Sequence, residues 1–386
     1  MRSSVIPYGR QEITEKDIEA VVETLKSDFL TQGPKIIEFE KKFAEYCGAK
    51  YAVAVSNGTA ALHLSAMALG VKQGDKVITT PNTFAASANC VLYCGGEVVF
   101  CDINPDNFLL DLDKLEEMLS ESTLGTYKGI IPVDFAGYPI DAERLRLIAD
   151  KYGLWILEDA CHAPGAFFAD SKGNKQICGS NQYTDLTVFS FHPVKHIATG
   201  EGGMITTNNP DLYEKLILFR THGITKSPDL LIENHGGWYY EMQELGYNYR
   251  ITDFQAALGV SQLSRADEGL AKRNQIAEKY DKALVGLPIK TPKIAEHIYH
   301  AFHLYVIQVP DRLALYNYLR ENGIFAQVHY IPVHLMPFYK KQGWKKGDFP
   351  VMENYYEHCL SLPMFPSLKE EDQDYVIEKI HSFYIQ

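Results

Sequence analysis

Tyr51-Ala52-Val53-Ala54-Val55-Ser56-Asn57-Gly58-Thr59-Ala60-Ala61-Leu62-His63-Leu64-Ser65-Ala66-Met67-Ala68-Leu69 is the stretch that decides the fold class. Its first five residues form a short apolar run of the kind that is buried on both faces of a sheet. A glycine turn follows, and from residue 59 to 69 the apolar side chains repeat at helical spacing. Strand, turn and helix in this order make one βα unit. The unit recurs downstream. Apolar runs at 76–80, 97–101, 129–133, 154–157, 186–191 and 204–207 alternate with helical patterns at 84–93, 111–119 and 141–152. Asp141 reads as the N-cap of the last of these helices and Gly153 as its C-cap. Such alternation predicts an α/β fold with a large, mostly parallel sheet covered by helices on both faces.

Beyond Asn209 the pattern changes. A helical stretch at 253–269 continues to about residue 284, and from about 288 a strand at 303–309 mixes with helices at 312–322 and 370–383. We therefore expect a large domain with an N-terminal arm over residues 1–250, then an interdomain helix and a small α/β domain over 251–386. Two domains also suit a chain of 386 residues, because single cores stop growing near about 250–300 residues.

Composition excludes several classes of function. Thirty-seven basic against 49 acidic residues give a net charge of −12, which repels a phosphate backbone, so no nucleic-acid partner is expected. Seven cysteines, an odd number without a C-x-x-C pair, indicate reduced thiols and not a disulfide framework or zinc site. No apolar signal segment and no long apolar run is present, so a cytoplasmic protein without a membrane partner is expected. Asp102-x-Asn104-x-Asp106 imitates the start of a calcium loop. The sixth position, however, is Asn107 where the turn needs glycine, and the twelfth is Asp113 instead of glutamate.

Ligands of open α/β sheets gather at the carboxyl ends of the strands. After 51–55, Ser56-Asn57-Gly58-Thr59-Ala60-Ala61 leads into a helix whose free N–H groups suit a phosphate, although an N-cap turn without a ligand fits the same residues. After 154–157, Glu158-Asp159-Ala160-Cys161-His162 places a carboxylate at the mouth of a buried strand. Asp159 there can hold a cationic ring nitrogen, or simply cap the next turn. After 186–191, His192-Pro193-Val194-Lys195-His196 carries a lysine that becomes a carbonyl-reactive amine if it is buried, with Ser190 and the glycines of Thr199-Gly200-Glu201-Gly202-Gly203 nearby. The histidines form no metal-ligand spacing, so no metal is expected.

Taken together, Ser56-Asn57-Gly58-Thr59-Ala60-Ala61-Leu62, Glu158-Asp159-Ala160-x-His162, Ser190-Phe191-His192-x-x-Lys195 and Glu201-Gly202-Gly203 resemble the DegT/DnrJ/EryC1/StrS sugar aminotransferases. The block from Gly246 to Gly259, which includes Asn248, Tyr249, Arg250 and Asp253, is similar to one that this family uses near its dimer interface. The resemblance implies a type I fold that uses pyridoxal 5'-phosphate (PLP), a homodimer, and transfer of an amino group from L-glutamate to a nucleotide-linked keto sugar. It further implies that Lys195 forms the Schiff base, Asp159 partners the pyridine nitrogen, Phe84 stacks on the cofactor and His162 faces its ring. Gly58, Thr59 and Ser190 match the phosphate cradle, which Asn248 completes from the second subunit. Tyr8, Thr31, Ser56, Arg250, His329 and Tyr330 are the candidate substrate contacts. Within the family, residues 191–195 and 237–246 resemble the branch that makes UDP-4-amino-4,6-dideoxy-N-acetyl-β-L-altrosamine, a pseudaminic acid precursor. Other UDP- or dTDP-keto sugars, aminated at C4 or C3, are the alternative substrates. A regulator that binds PLP without turnover is a more distant one, since both Lys195 and Asp159 are present.

Overall fold

The computed structural model describes residues 5–385, and its centre is a seven-stranded sheet. Across the sheet the strands run Tyr51–Val55, Gly203–Thr207, Leu186–Ser190, Trp155–Asp159, Tyr127–Ile131, Lys76–Thr79 and Glu97–Phe100. All pairings are parallel except those of Gly203–Thr207, which is antiparallel to both neighbours. Because the loop 191–202 joins two antiparallel neighbours, it turns straight back and needs no crossover helix. Val53, Ile78, Ile130, Ile156, Val188 and Ile205 are fully buried, the physical reason these strands read as apolar runs.

Helices cover the sheet. Gly58–Ala68 is buried along most of its length, so its sequence is apolar nearly all round. Asp141 caps Ala142–Tyr152 by accepting from the Arg144 N–H, and Gly153 closes it in the left-handed region at φ 67°. Two helices, Glu15–Leu25 and Pro34–Cys47, were not anticipated from the sequence. The first opens on a capping box between Thr14 and Asp17. Phe39 and Phe43 of the second pack against Phe191 and Phe189 in an aromatic cluster with centroids 4.9–6.1 Å apart.

The expected helix over 253–284 is in fact two, Asp253–Leu263 and Ala266–Ala283. At the break, Arg265 leaves helical geometry and its Nη2 donates to buried Asp17 Oδ2 (2.8 Å) and to the Glu12 carbonyl (2.6 Å). A separate core lies beyond. Leu315 and Leu319 of Arg312–Glu321, Val376 and Ile380 of Glu370–Ile385, and Ile276 and Tyr280 of Ala266–Ala283 pack on the antiparallel pair Tyr305–Gln308 and Cys359–Leu362. The arm strand Ile6–Pro7 joins this side by pairing in parallel with Ile324–Phe325. All seven cysteines are free, and among the described residues no helix is long and apolar enough to cross a membrane.

The calcium-loop imitation has a structural explanation. Asp102 accepts from Lys114 Nζ (3.1 Å), from its neighbour's Ile103 N–H (2.9 Å), and from the N–H groups of Val351 (3.1 Å) and Met352 (3.0 Å). It therefore caps the helix Pro350–His358, whose own N-cap residue Phe349 has no side chain able to do so. Asp102→Ala should cost about 2–3 kcal/mol, because several donors lose one acceptor. Urea unfolding measures this, and added calcium should leave the wild-type unfolding curve unchanged.

Candidate active site

The carboxyl ends of Tyr51–Val55, Trp155–Asp159 and Leu186–Ser190 lie together with the start of the antiparallel strand, where Gly203 sits opposite both Val55 and Ser190. A cavity of about 660 Å³ opens there. On one side stands the N-terminus of Gly58–Ala68, capped by Asn57 through a 2.8 Å bond from the Ala60 N–H. Glycine at position 58 keeps the approach close, since a Cβ would lie 3.0 Å from Ser190 Cβ and 3.3 Å from its Oγ. Helix and strand thus approach closely enough to present backbone N–H groups and the Ser190 hydroxyl to one anion.

Lys195 projects into the cavity from the loop 191–202. Phe191, fully buried, anchors that loop: its N–H donates to the Gly202 carbonyl (2.8 Å) and its carbonyl accepts from the Thr199 N–H (2.9 Å). Burial lowers the lysine's proton affinity below the ordinary lysine range, partly countered by Cys161 and Asp159. Asp159, buried at the end of its strand, is held at both oxygens. Ser87 Oγ donates to Oδ2 at 2.5 Å and the Cys161 N–H to Oδ1 at 3.1 Å. Ser87 is in turn 2.7 Å from Thr83 Oγ1.

His162 has a defined tautomer. Its Nδ1 accepts from the Ala136 N–H at 3.3 Å, so the ring hydrogen is on Nε2, 3.1 Å from Tyr330 Oη. Nε2–H donates to the tyrosine oxygen, and the hydroxyl hydrogen of Tyr330 is left to point elsewhere. Burial, with Lys195 next in effect, holds His162 well below the usual histidine range and therefore neutral. His303 packs on it at 4.2 Å between centroids, and burial pushes His329 down to about 3. Three of the groups around the lysine are thus uncharged imidazoles.

Of the residues expected from the sequence, Lys195, Asp159, His162, Gly58, Thr59, Phe84, Ser190, Tyr8, His329 and Tyr330 all line the cavity. Thr31, Ser56, Asn248 and Arg250 do not line it within this chain. The extended segment around 249 explains two of them: Tyr249 lines the cavity, so its neighbours Asn248 and Arg250 face away, and Asn248 is exposed. Thr31 bridges to Thr252, and Ser56 gives its N–H to the Tyr249 carbonyl. Sequence reasoning gave no site role to Ser87, Thr83 and His303, which carry no motif of their own, nor to Tyr249, although it lies in the block 246–259 quoted for the family resemblance.

The residues present fit a phosphate-bearing, carbonyl-reactive, cationic-ring cofactor: an anion cradle, an amine of lowered basicity and a doubly hydrogen-bonded carboxylate share one cavity. Comparison with known proteins agrees. Residues 11–381 match the DegT/DnrJ/EryC1/StrS aminotransferase family. The chain is 40% identical to the spore coat polysaccharide biosynthesis protein SpsC of Bacillus subtilis, covering 98% of this chain and 97% of that one. It is 38% identical to the UDP-4-amino-4,6-dideoxy-N-acetyl-beta-L-altrosamine transaminase of Campylobacter jejuni, again over 98% and 97%. Among solved structures, a Streptococcus pneumoniae protein assigned as a sugar aminotransferase, in its PLP form, superposes with a TM-score of 0.89 at 31% identity, covering 99% and 98% of the two chains. This chain belongs to the DegT/DnrJ/EryC1/StrS aminotransferase family and is a PLP-dependent sugar aminotransferase.

Proposed function

We propose that the enzyme transfers the amino group of L-glutamate to C4 of a UDP-linked 4-keto-6-deoxy-N-acetylhexosamine, giving the 4-amino sugar of a pseudaminic acid route. The observation that carries this reading is the full-length similarity to the Campylobacter jejuni transaminase, combined with a cavity that contains both the lysine and the carboxylate. A second reading, amination of a different UDP- or dTDP-keto sugar at C4 or C3, is favoured by the comparable similarity to SpsC. A PLP-binding regulator without turnover has no support from a site in which Lys195 and Asp159 are both in place.

When bound, PLP supplies the electron sink that makes the C–H next to the amino group acidic and carries nitrogen between the two substrates. The chain's residues do the rest. The N–H groups of Gly58 and Thr59, left free by the Asn57 cap, and Ser190 Oγ would hold the phosphate, Asp159 would hold a proton on the ring nitrogen, and Phe84, 64% exposed, would offer its face to the ring. Lys195, of lowered basicity, would tether the cofactor, take the proton from Cα of glutamate in the first half of the reaction, and deliver one to C4 of the sugar in the second. Neutral His162 donates to Tyr330 Oη, which leaves the Tyr330 hydroxyl hydrogen free for a reactant in the cavity. Glutamate leaves as 2-oxoglutarate, and the keto oxygen of the sugar leaves as water.

Asn248 faces out of its own site, next to a segment that exposes Leu230, Ile232, Trp238, Met242 and Leu245. A patch of this kind fits a subunit interface, and the proposed assembly is a homodimer in which Asn248 reaches the partner's phosphate.

Lys195→Ala should abolish turnover and the borohydride-trapped PLP adduct. In the wild type the rate of PLP capture should rise with pH, with a midpoint below the ordinary lysine value of about 10.4, because the buried amine sheds its proton earlier. A midpoint at or above that value would contradict the desolvated amine. Mixing inactive Lys195→Ala with an inactive Asn248 variant should restore partial activity through hybrid dimers; no recovery after subunit exchange would place Asn248 outside the partner's site. For the substrate, UDP-4-keto sugars of L-arabino and D-xylo configuration are supplied with glutamate and the products identified by NMR. Exclusive amination of a 3-keto or dTDP-linked sugar would favour the second reading.

A further inference from the structure

Behind the cavity, outside its lining, lies a buried acidic pair that the reaction does not use. Asp134 is fully buried and Glu158 nearly so. Glu158 Oε2 accepts from Thr187 Oγ1 at 2.6 Å, and Asp134 Oδ1 accepts from the Ile140 N–H at 2.9 Å. Asp134 Oδ2 is buried and meets no hydroxyl or N–H donor, its donor-bearing neighbour being the weakly donating thiol of Cys178. A carboxyl oxygen from each residue and Cys178 Sγ lie within 4.8 Å of one another. Among the described residues, neither carboxyl is in an ion pair. Two bare carboxylates so placed would repel each other in surroundings that screen weakly.

We propose that Asp134 and Glu158 share one proton, carried on Asp134 Oδ2 and donated to Glu158, and that this pair positions both Asp159 and His162. The assignment of the proton follows from the donors: Glu158 already receives the Thr187 hydroxyl, whereas Asp134 Oδ2 meets no hydroxyl or N–H, only the weak thiol donor Cys178, and so is the oxygen that carries the proton. Burial first, and the neighbouring Glu158 second, push the Asp134 carboxyl well above the ordinary range; burial also raises Glu158.

The connection to the site is through backbone. The Asp159 N–H donates to the Pro132 carbonyl (2.9 Å), and the Asp134 N–H donates to the Asp159 carbonyl (3.0 Å). Immediately after Asp134 comes the short turn Phe135–Gly137, with Ala136 in the left-handed region at φ 60°. Its N–H is the donor to His162 Nδ1. A side chain cannot replace the hydrogen of Gly137, whose φ is 101° and where a Cβ would lie 2.9 Å from the His162 carbonyl. Asp134 Oδ1, bound to the Ile140 N–H, closes this turn. The pair thus holds in one place the strand end that aims Asp159 and the N–H that sets the tautomer of His162.

The role in catalysis rests on the function proposed above; the shared proton does not, and is tested on the cofactor-free chain. Infrared spectra in D₂O over about pH 6 to 8 should show a protonated-carboxyl band that does not titrate, because burial disfavours the charged form. The band should vanish in Asp134→Asn and in Glu158→Gln. No band, a band that titrates away in this range, or stoichiometric metal at the cluster would overturn the shared proton. In the PLP-loaded enzyme, Asp134→Ala should lower kcat about ten-fold, through misplacement of Asp159 and His162, with KM for glutamate little changed. Asp134→Asn, whose amide N–H replaces the proton, should recover most of the loss. Wild-type kcat in folded Asp134→Ala, or no recovery in Asp134→Asn, would overturn the positioning role.

Discussion

Two backbone hydrogen bonds at Asp159, one given to the Pro132 carbonyl and one accepted from the Asp134 N–H, are the interaction on which the site depends. They extend the pairing of Trp155–Asp159 by one bridge beyond the regular strands, between Val133 and Asp159. A carboxylate on an unpaired loop would lose its direction; here it leaves the sheet at the last paired residue. Ser87 and the Cys161 N–H then fix its oxygens without adding charge. Neutral donors suit a group whose partner is a cation brought in with the cofactor.

Much of this architecture was legible because burial on both faces leaves a plain mark. Strands such as Leu186–Ser190 admit few polar residues, and the helices between them carry caps such as Asp141 and Gly153. Gly58, Asp159 and Lys195 could be found because each lies at or soon after the carboxyl end of a strand, and strand order delivers them to one end of the sheet, whereas Phe84, Tyr8, His329 and Tyr330 came only from the family resemblance. Strand direction carries no such mark. Gly203–Thr207 is as buried as the strands on either side of it, and only the short return loop distinguishes it.

What escaped the sequence was set by contacts between distant segments. Ser87 meets Asp159 across 72 positions, and Tyr330 meets His162 across 168. The break between the helices at 253–283 comes from Arg265 turning toward Asp17, 248 positions away, where local periodicity continues undisturbed. Asp102 shows the converse case. Its surroundings spell the opening of a cation loop, but its oxygens are taken by backbone donors from the far end of the chain. Glu158 and Asp134 follow the same logic, since nothing adjacent to either in sequence tells that the other lies beside it.

The cap that Asp102 provides has a consequence for how the protein is made. Its acceptor and its donors are 249 and 250 positions apart, and the arm strand Ile6–Pro7 finds its partner only at 324–325. While the ribosome is still adding residues, the sheet can assemble from strands that emerge in succession, but the wall that bears His329 and Tyr330 has nothing to seat against until the closing quarter of the chain is out. Nascent enzyme therefore passes through a stage with an open, half-walled site, in which the apolar surface later covered by Tyr339, Phe349 and Met352 is bare to water.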